Sequence, residues 1–122
     1  MYEIFNHFCL FLKKIFLYIM ELNEFQETVK NYVLYPRELG PFYHILSMTT
    51  DIGKLSESLR TKLEEQSDFN DRERLMMAIT LGNILYSIAS IASNINMPFD
   101  QIAALSITKK QHELQEKIDG NT

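Results

Sequence analysis

Apolar residues recur along this chain at the three-then-four spacing of helices, and no useful stretch shows the alternation of a strand. Asn23 followed by Gln26 has the form of an N-terminal capping pair, which predicts a helix over 23–33. The run from Leu34 to Gly40 breaks it. Gly40-Pro41 opens a second helix reaching about residue 66, with Pro41 suited to its first turn. Ile45, Met48, Ile52, Leu55, Leu59 and Leu63 mark its apolar face. A polar segment over 66–71 follows, and Asn70 with Glu73 forms a second capping-box pair. The helix predicted over 71–95 is apolar nearly all round, from Leu75 and Ile79 through Ile84, Leu85 and Ile88 to Ile95. Such a helix belongs at the centre of a bundle or at a subunit contact. Met97-Pro98 stops it. A last helix over 99–118 carries Phe99, Ile102, Leu105, Leu114 and Ile118, with Gly120 as its expected terminator.

Residues 1–19 stand apart as an apolar segment ahead of the domain expected over 20–122. Phe5, Phe8, Leu12, Ile15 and Ile19 have helical spacing. Lys13 and Lys14 interrupt the apolar run, which argues against a membrane span and against a secretory signal, whose charges precede its apolar stretch. Two readings remain: an added helix that docks on the domain or on another subunit, or an upstream extension before a domain opening at Met20. Cys9 is expected to pack within this stretch.

Composition narrows the function. The chain has 122 residues and a net charge of -4, which fits one domain and no basic face for nucleic acid. Its single cysteine excludes an internal disulfide and multi-cysteine zinc sites, and an intracellular, cytoplasmic location follows as the simplest expectation. His7, His44 and His112 are scattered, with no zinc-ligand spacing.

Candidate chemistry lies where polar residues interrupt the two long helices. Ser47, Thr50, Lys54, Glu57 and Thr61 fall on one line with Asp51 beside it, and Thr80, Asn83, Ser87, Ser90 and Asn94 form a second. If the lines face one another they make a polar seam of the kind that holds ligands inside bundles. Taken singly, these hydroxyls also satisfy themselves against the preceding turn.

From Met20 onward the chain resembles the MazG-like all-α nucleoside triphosphate pyrophosphohydrolases. Tyr35-Pro36, Tyr43 and the segment from Leu46 to Glu57 resemble that family's first motif helix, the segment from Leu81 to Ala89 resembles its second, and Met97 to Ile102 resembles the turn into its last helix. The resemblance implies a four-helix MazG-like bundle, here with an additional N-terminal apolar helix. It also implies a site where four carboxylates hold Mg²⁺ on a triphosphate. Carried over position by position, those carboxylates become Asp51, Lys54, Thr80 and Asn83, so a formal charge of -4 becomes (-1) + (+1) + 0 + 0 = 0. An ammonium beside a dication position is repelled by about 4 kcal/mol per unit pair at 4 Å and an effective dielectric of 20.

Three readings follow from the resemblance. In the first, the fold has lost Mg-dependent hydrolysis and persists as a structural or binding homo-oligomer, a dimer or a dimer of dimers. In the second, it binds a nucleotide without a metal, through Lys54 and Lys109 with hydrogen bonds from Thr80, Asn83 and Ser87. In the third, Asp51 and Glu57 hold a weak Mg²⁺ for residual pyrophosphohydrolase activity.

Overall fold

A computed structural model describes residues 2–16 and 20–121, with side chains described outside 11–16. Among the described residues the protein is all-helical and contains no strand. Five α-helices follow in order: α1 (Tyr2–Phe16), α2 (Leu22–Val29), α3 (Gly40–Glu65), α4 (Asp71–Asn94) and α5 (Phe99–Gly120). A short 3-10 turn, Arg37–Leu39, leads into α3.

The helix ends follow local chemistry. Gly40 adopts φ +46°, a conformation other residues rarely adopt, and Pro41 follows it in the first turn of α3. At the other end of α3, Gln66 turns left-handed, and the Ser67 and Gln66 amides donate to Lys62 and Leu63 carbonyls. The expected capping box at α4 is present: Asn70 Oδ1 accepts from the Glu73 amide at 2.8 Å, and Glu73 Oε1 accepts from the Asn70 amide at 3.1 Å. Asn96, left-handed at φ +57°, closes α4, with the Met97 amide donating to the Ala92 carbonyl at 2.9 Å. α5 runs through Gly120, so that glycine is not the terminator expected of it.

The Asn23–Gln26 pair corrects a sequence expectation. It does not cap α2, whose N-terminus has no side-chain cap. Instead Asn23 Oδ1 accepts from the Asp100 amide at 3.0 Å and Gln26 Oε1 from the Phe99 amide at 2.9 Å. Both belong to the first turn of α5, whose own N-cap, Pro98, supplies no side-chain cap. Gln26 Nε2 also donates to the Met97 carbonyl at 2.8 Å. Two side chains of α2 therefore satisfy amide donors that a helix start leaves open. Beside this junction lies a small core of Val29, Ala89, Ala92 and Phe99, flanked by Phe25, Tyr86, Ile88 and Ile102.

α3 and α4 form the longest packed pair, while α2 rests on α4 and on the start of α5. Within one chain α3 has no close backbone approach to α2 or α5, so the hairpin is open on that side. The expected apolar face of α3 divides accordingly. Met48 and Leu55 are half-buried, whereas Ile45, Ile52, Leu59 and Leu63 are exposed. α4 is long and apolar enough to cross a membrane by length and composition, yet its C-terminal half supplies the core residues Ala89 and Ala92.

α1 forms a helix, as its spacing predicts, and among the described residues it makes no close backbone approach to another element. Phe5 is exposed and Phe8 and Cys9 are half-buried; the side chains of Leu12 and Ile15, and the whole of Ile19, lie outside the described residues.

The Gln26 junction generates a stability prediction. Gln26→Leu keeps the bulk but leaves the Phe99 amide and Met97 carbonyl without their partner. It should cost about 2–3 kcal/mol of folding free energy, read as a lower urea midpoint with an unchanged slope.

Candidate functional site

The two polar lines do meet, but in two separate places. Toward the loop end of the hairpin, Lys54, Glu57 and Thr61 of α3 face Thr80 of α4 across an open groove of about 420 Å³ that also includes Arg72. Nearer the core, Ser47 and Asp51 of α3 join Asn83 and Ser87 of α4 in a cavity of about 470 Å³. Its remaining wall comes from α2 and the segment after it, with Phe25 and Tyr32, and from Tyr43 and Tyr86. Ser90 and Asn94 continue the α4 line into a third depression beside Tyr35 and Arg37. Lys109 lies in none of these. It is exposed on α5, a helix without close backbone approach to α3, so one chain does not bring it to Lys54.

Several candidate side chains are already engaged. The hydroxyls of Thr50, Thr61 and Thr80 donate to the carbonyls of Leu46, Glu57 and Met76, each four residues back. Glu57 is held by Arg60 at 3.1 and 2.5 Å, and this hydrogen-bonded guanidinium keeps its carboxyl below the usual range. Asp51 and Glu57 are six positions apart on one helix, which turns them roughly 120° away from each other about its axis. Among the described residues no group of three or more His, Cys, Asp or Glu side chains is placed to share a metal ion.

Asp51 is the unusual member. It is only 6 % exposed, and its one recorded partner is Lys54, whose Nζ lies 4.0 Å away, beyond hydrogen-bond reach. The Lys54 side chain is 66 % exposed, so its charge is largely screened by water.

Beside the cavity sits a cluster that the spacing argument missed. His44 is fully buried, at 0 % exposure, and neither ring nitrogen has a hydrogen-bond partner. Tyr35 approaches it edge-on with centroids 4.3 Å apart, and Tyr43 and Tyr86 follow at 5.6 and 5.8 Å. Tyr35 and Tyr43 stack on each other at 5.2 Å, and the Tyr86 hydroxyl donates to the Tyr32 carbonyl. Burial pushes the His44 imidazole below its ordinary 6.5 and the Tyr86 phenol above its usual value. The available signal was Tyr35 and Tyr43 flanking the start of α3; a search for metal-ligand spacing passes over it.

Compared with known family models, with curated proteins and with solved structures, this chain matches none.

The His44 cluster carries a pH prediction with a defined sign. A histidine whose folded pKa lies below 6.5 contributes its full stability above pH 6.5 and loses it as acid protonates the unfolded chain preferentially. Glu57 and Glu73, whose folded pKa values lie below 4.5, lose their contributions only at lower pH. Wild type should therefore weaken between pH 6.5 and about 5, while His44→Phe stays flat over that window. At pH 7 the variant should be neutral or up to about 1 kcal/mol more stable, because it removes two unpaired buried nitrogens. Urea titrations at both pH values check both statements.

Proposed function

We propose that this protein is a MazG-like helical protein that has lost Mg-dependent nucleotide hydrolysis and acts as a structural or binding homo-oligomer. The observation that carries the reading is surface left in water. One copy exposes 10188 Å², whereas a compact monomer of 14.3 kDa exposes roughly 6,800 Å². The excess is about 3,400 Å², and an obligate homodimer hides about 1,000–2,500 Å² on each subunit. α1, which among the described residues makes no close backbone approach to another element, contributes part of it.

The exposed surface is apolar in an ordered way. Ile45, Ile52, Leu59 and Leu63 form a row along α3, and Leu81 and Leu85 are exposed on α4. Successive residues of a helix turn by about 100°, which puts both sets on the same side of the hairpin, away from Tyr43, Asn83 and α2. Two such hairpins set face to face make a four-helix bundle, covering the apolar rows that one chain leaves in water.

The site supports loss of hydrolysis. At the four positions that correspond to the family's carboxylates, the side chains are Asp51, Lys54, Thr80 and Asn83. Mg²⁺ requires several hard oxygen ligands in octahedral order, and the nearby Glu57 is committed to Arg60. The geometry gives less support to nucleotide capture by Lys54 and Lys109, which one chain keeps apart.

Sedimentation velocity should find a dimer or larger species at micromolar concentration. Leu85→Glu or Ile52→Glu should raise its dissociation constant at least a hundredfold, since each would bury an unpaired carboxylate. A monomer in wild type at high micromolar concentration overturns the assembly. With Mg²⁺ and a nucleoside triphosphate, pyrophosphate release should not rise above the blank. Turnover that vanishes in Asp51→Ala would overturn the loss of hydrolysis.

A further inference from the structure

The cavity between α2, α3 and α4 has a charge pattern that the assembly reading does not use. Among the described residues that line it, Asp51 is the one charged side chain, and no described lysine, arginine or histidine lines it. Asp51 is nine-tenths buried as a residue, its carboxylate oxygens are not sealed from solvent, and its one ion-pair partner among the described residues is the Lys54 ammonium, 4.0 Å away on an exposed side chain. Buried carboxylates are normally paired and hydrogen-bonded, because removing their hydration costs several kcal/mol. Something with a positive charge and N–H or polarised C–H donors would complete it.

The walls say what kind of cation. Tyr32, Tyr43 and Tyr86 line the same space, and aromatic rings attract ammonium groups through their electron-rich faces. Tyr43 is held by stacking on Tyr35, and the Tyr86 hydroxyl is anchored on the Tyr32 carbonyl, so two of the three aromatic walls are held before a ligand arrives, while the Tyr32 side chain is 58 % exposed. Asn83 and Ser87 add neutral hydrogen-bonding groups. A volume of about 470 Å³ is within the range of small-molecule sites. A hydrated divalent metal is poorly served, since one carboxylate among aromatic walls supplies few hard ligands. Phosphate and other anions meet a buried negative charge with no cation among the described lining residues to offset it.

We propose that this cavity is a binding site for a small organic ammonium with an aromatic or apolar body, its charge paired with Asp51 and its body seated among Tyr32, Tyr43 and Tyr86. The site would give the protein a ligand-binding role. It does not depend on the assembly reading, because the cavity is formed within one chain.

The test titrates the full chain with 2-phenylethylammonium chloride, with the neutral 2-phenylethanol and with MgCl₂, using calorimetry together with backbone amide spectra at Gly82 and Ser87. The ammonium should bind saturably with a dissociation constant below about 10 mM and shift the Gly82 and Ser87 signals. The alcohol should bind at least about tenfold more weakly, and Asp51→Asn should weaken the ammonium by a similar factor. Tyr43→Leu should weaken it several-fold. Lack of saturation by the ammonium, equal affinity for the alcohol, or undiminished affinity in Asp51→Asn each overturns the proposal. So does displacement of the ammonium by millimolar MgCl₂ at constant ionic strength. The alcohol comparison uses wild type alone, so the proposal is decided even if a variant fails to fold. Sedimentation of the same samples separates this result from the assembly: a monomer that binds the ammonium sinks only the assembly, and an oligomer that does not bind sinks only the ligand site.

Discussion

A pair of packed helices buries one side of each, and in this protein that limit governs everything else. α3 and α4 have 26 and 24 residues, or close to 40 Å of helix each at about 1.5 Å per residue. The elements available to cover them are shorter or lie at one end. α2 has eight residues and sits near the core end of the hairpin. α5 meets that end through its first turns, where Phe99 and Ile102 join the core, and leaves Leu105, Ile107, Leu114 and Ile118 exposed. Away from the core the hairpin depends on its own contacts, among them the Lys62–Glu73 ion pair at 2.6 Å and Lys62 lying over the Phe69 ring. That pair is partly covered, with the Lys62 side chain 15 % and the Glu73 side chain 33 % exposed. The apolar rows on the outer faces remain uncovered within one chain.

This limit also explains which features were legible in the sequence. Helix starts and stops were, because Gly40-Pro41, the Asn70–Glu73 box and Met97-Pro98 act through nearest neighbours. The helical spacing around Ile45, Ile52 and Leu59 was also legible, but spacing says only that residues share a face. It does not say whether the opposing surface belongs to the same chain. Asn23 and Gln26 show the converse problem. Their separation of three suited a local cap, yet the donors they satisfy belong to Phe99 and Asp100, more than seventy positions along the chain. A local rule cannot distinguish these cases, since the competing partner appears only after the chain has folded back.

The candidate site divides in the same manner. The spacing along α3 and α4 predicted a polar seam, and Ser47, Asp51, Asn83 and Ser87 do share a cavity. The hydroxyl positions proved easier to assign to the bland alternative, as Thr50, Thr61 and Thr80 bond within their own helix. What spacing left hidden was the surroundings of Asp51. Its low exposure and the tyrosines beside it arise from three elements meeting, and none of those elements carries the feature alone.

The same geometry separates the two proposed surfaces. Ile52 and Leu85 lie on the side of the hairpin away from α2, whereas the Asp51 cavity needs α2 for part of its wall. Pairing two hairpins through the outer rows therefore leaves the cavity's α2 wall in place, and a ligand there need not compete with a second copy. Coupling between them remains physically available through α4. Leu85 on the outer side and Tyr86 on the cavity side are adjacent residues of one helix, so a shift of that helix moves both. Because close-packed interfaces switch between discrete arrangements more readily than they deform continuously, any shift of α4 on ligand binding would bias how the hairpins meet, and assembly would by linkage alter the ligand's affinity by the same factor.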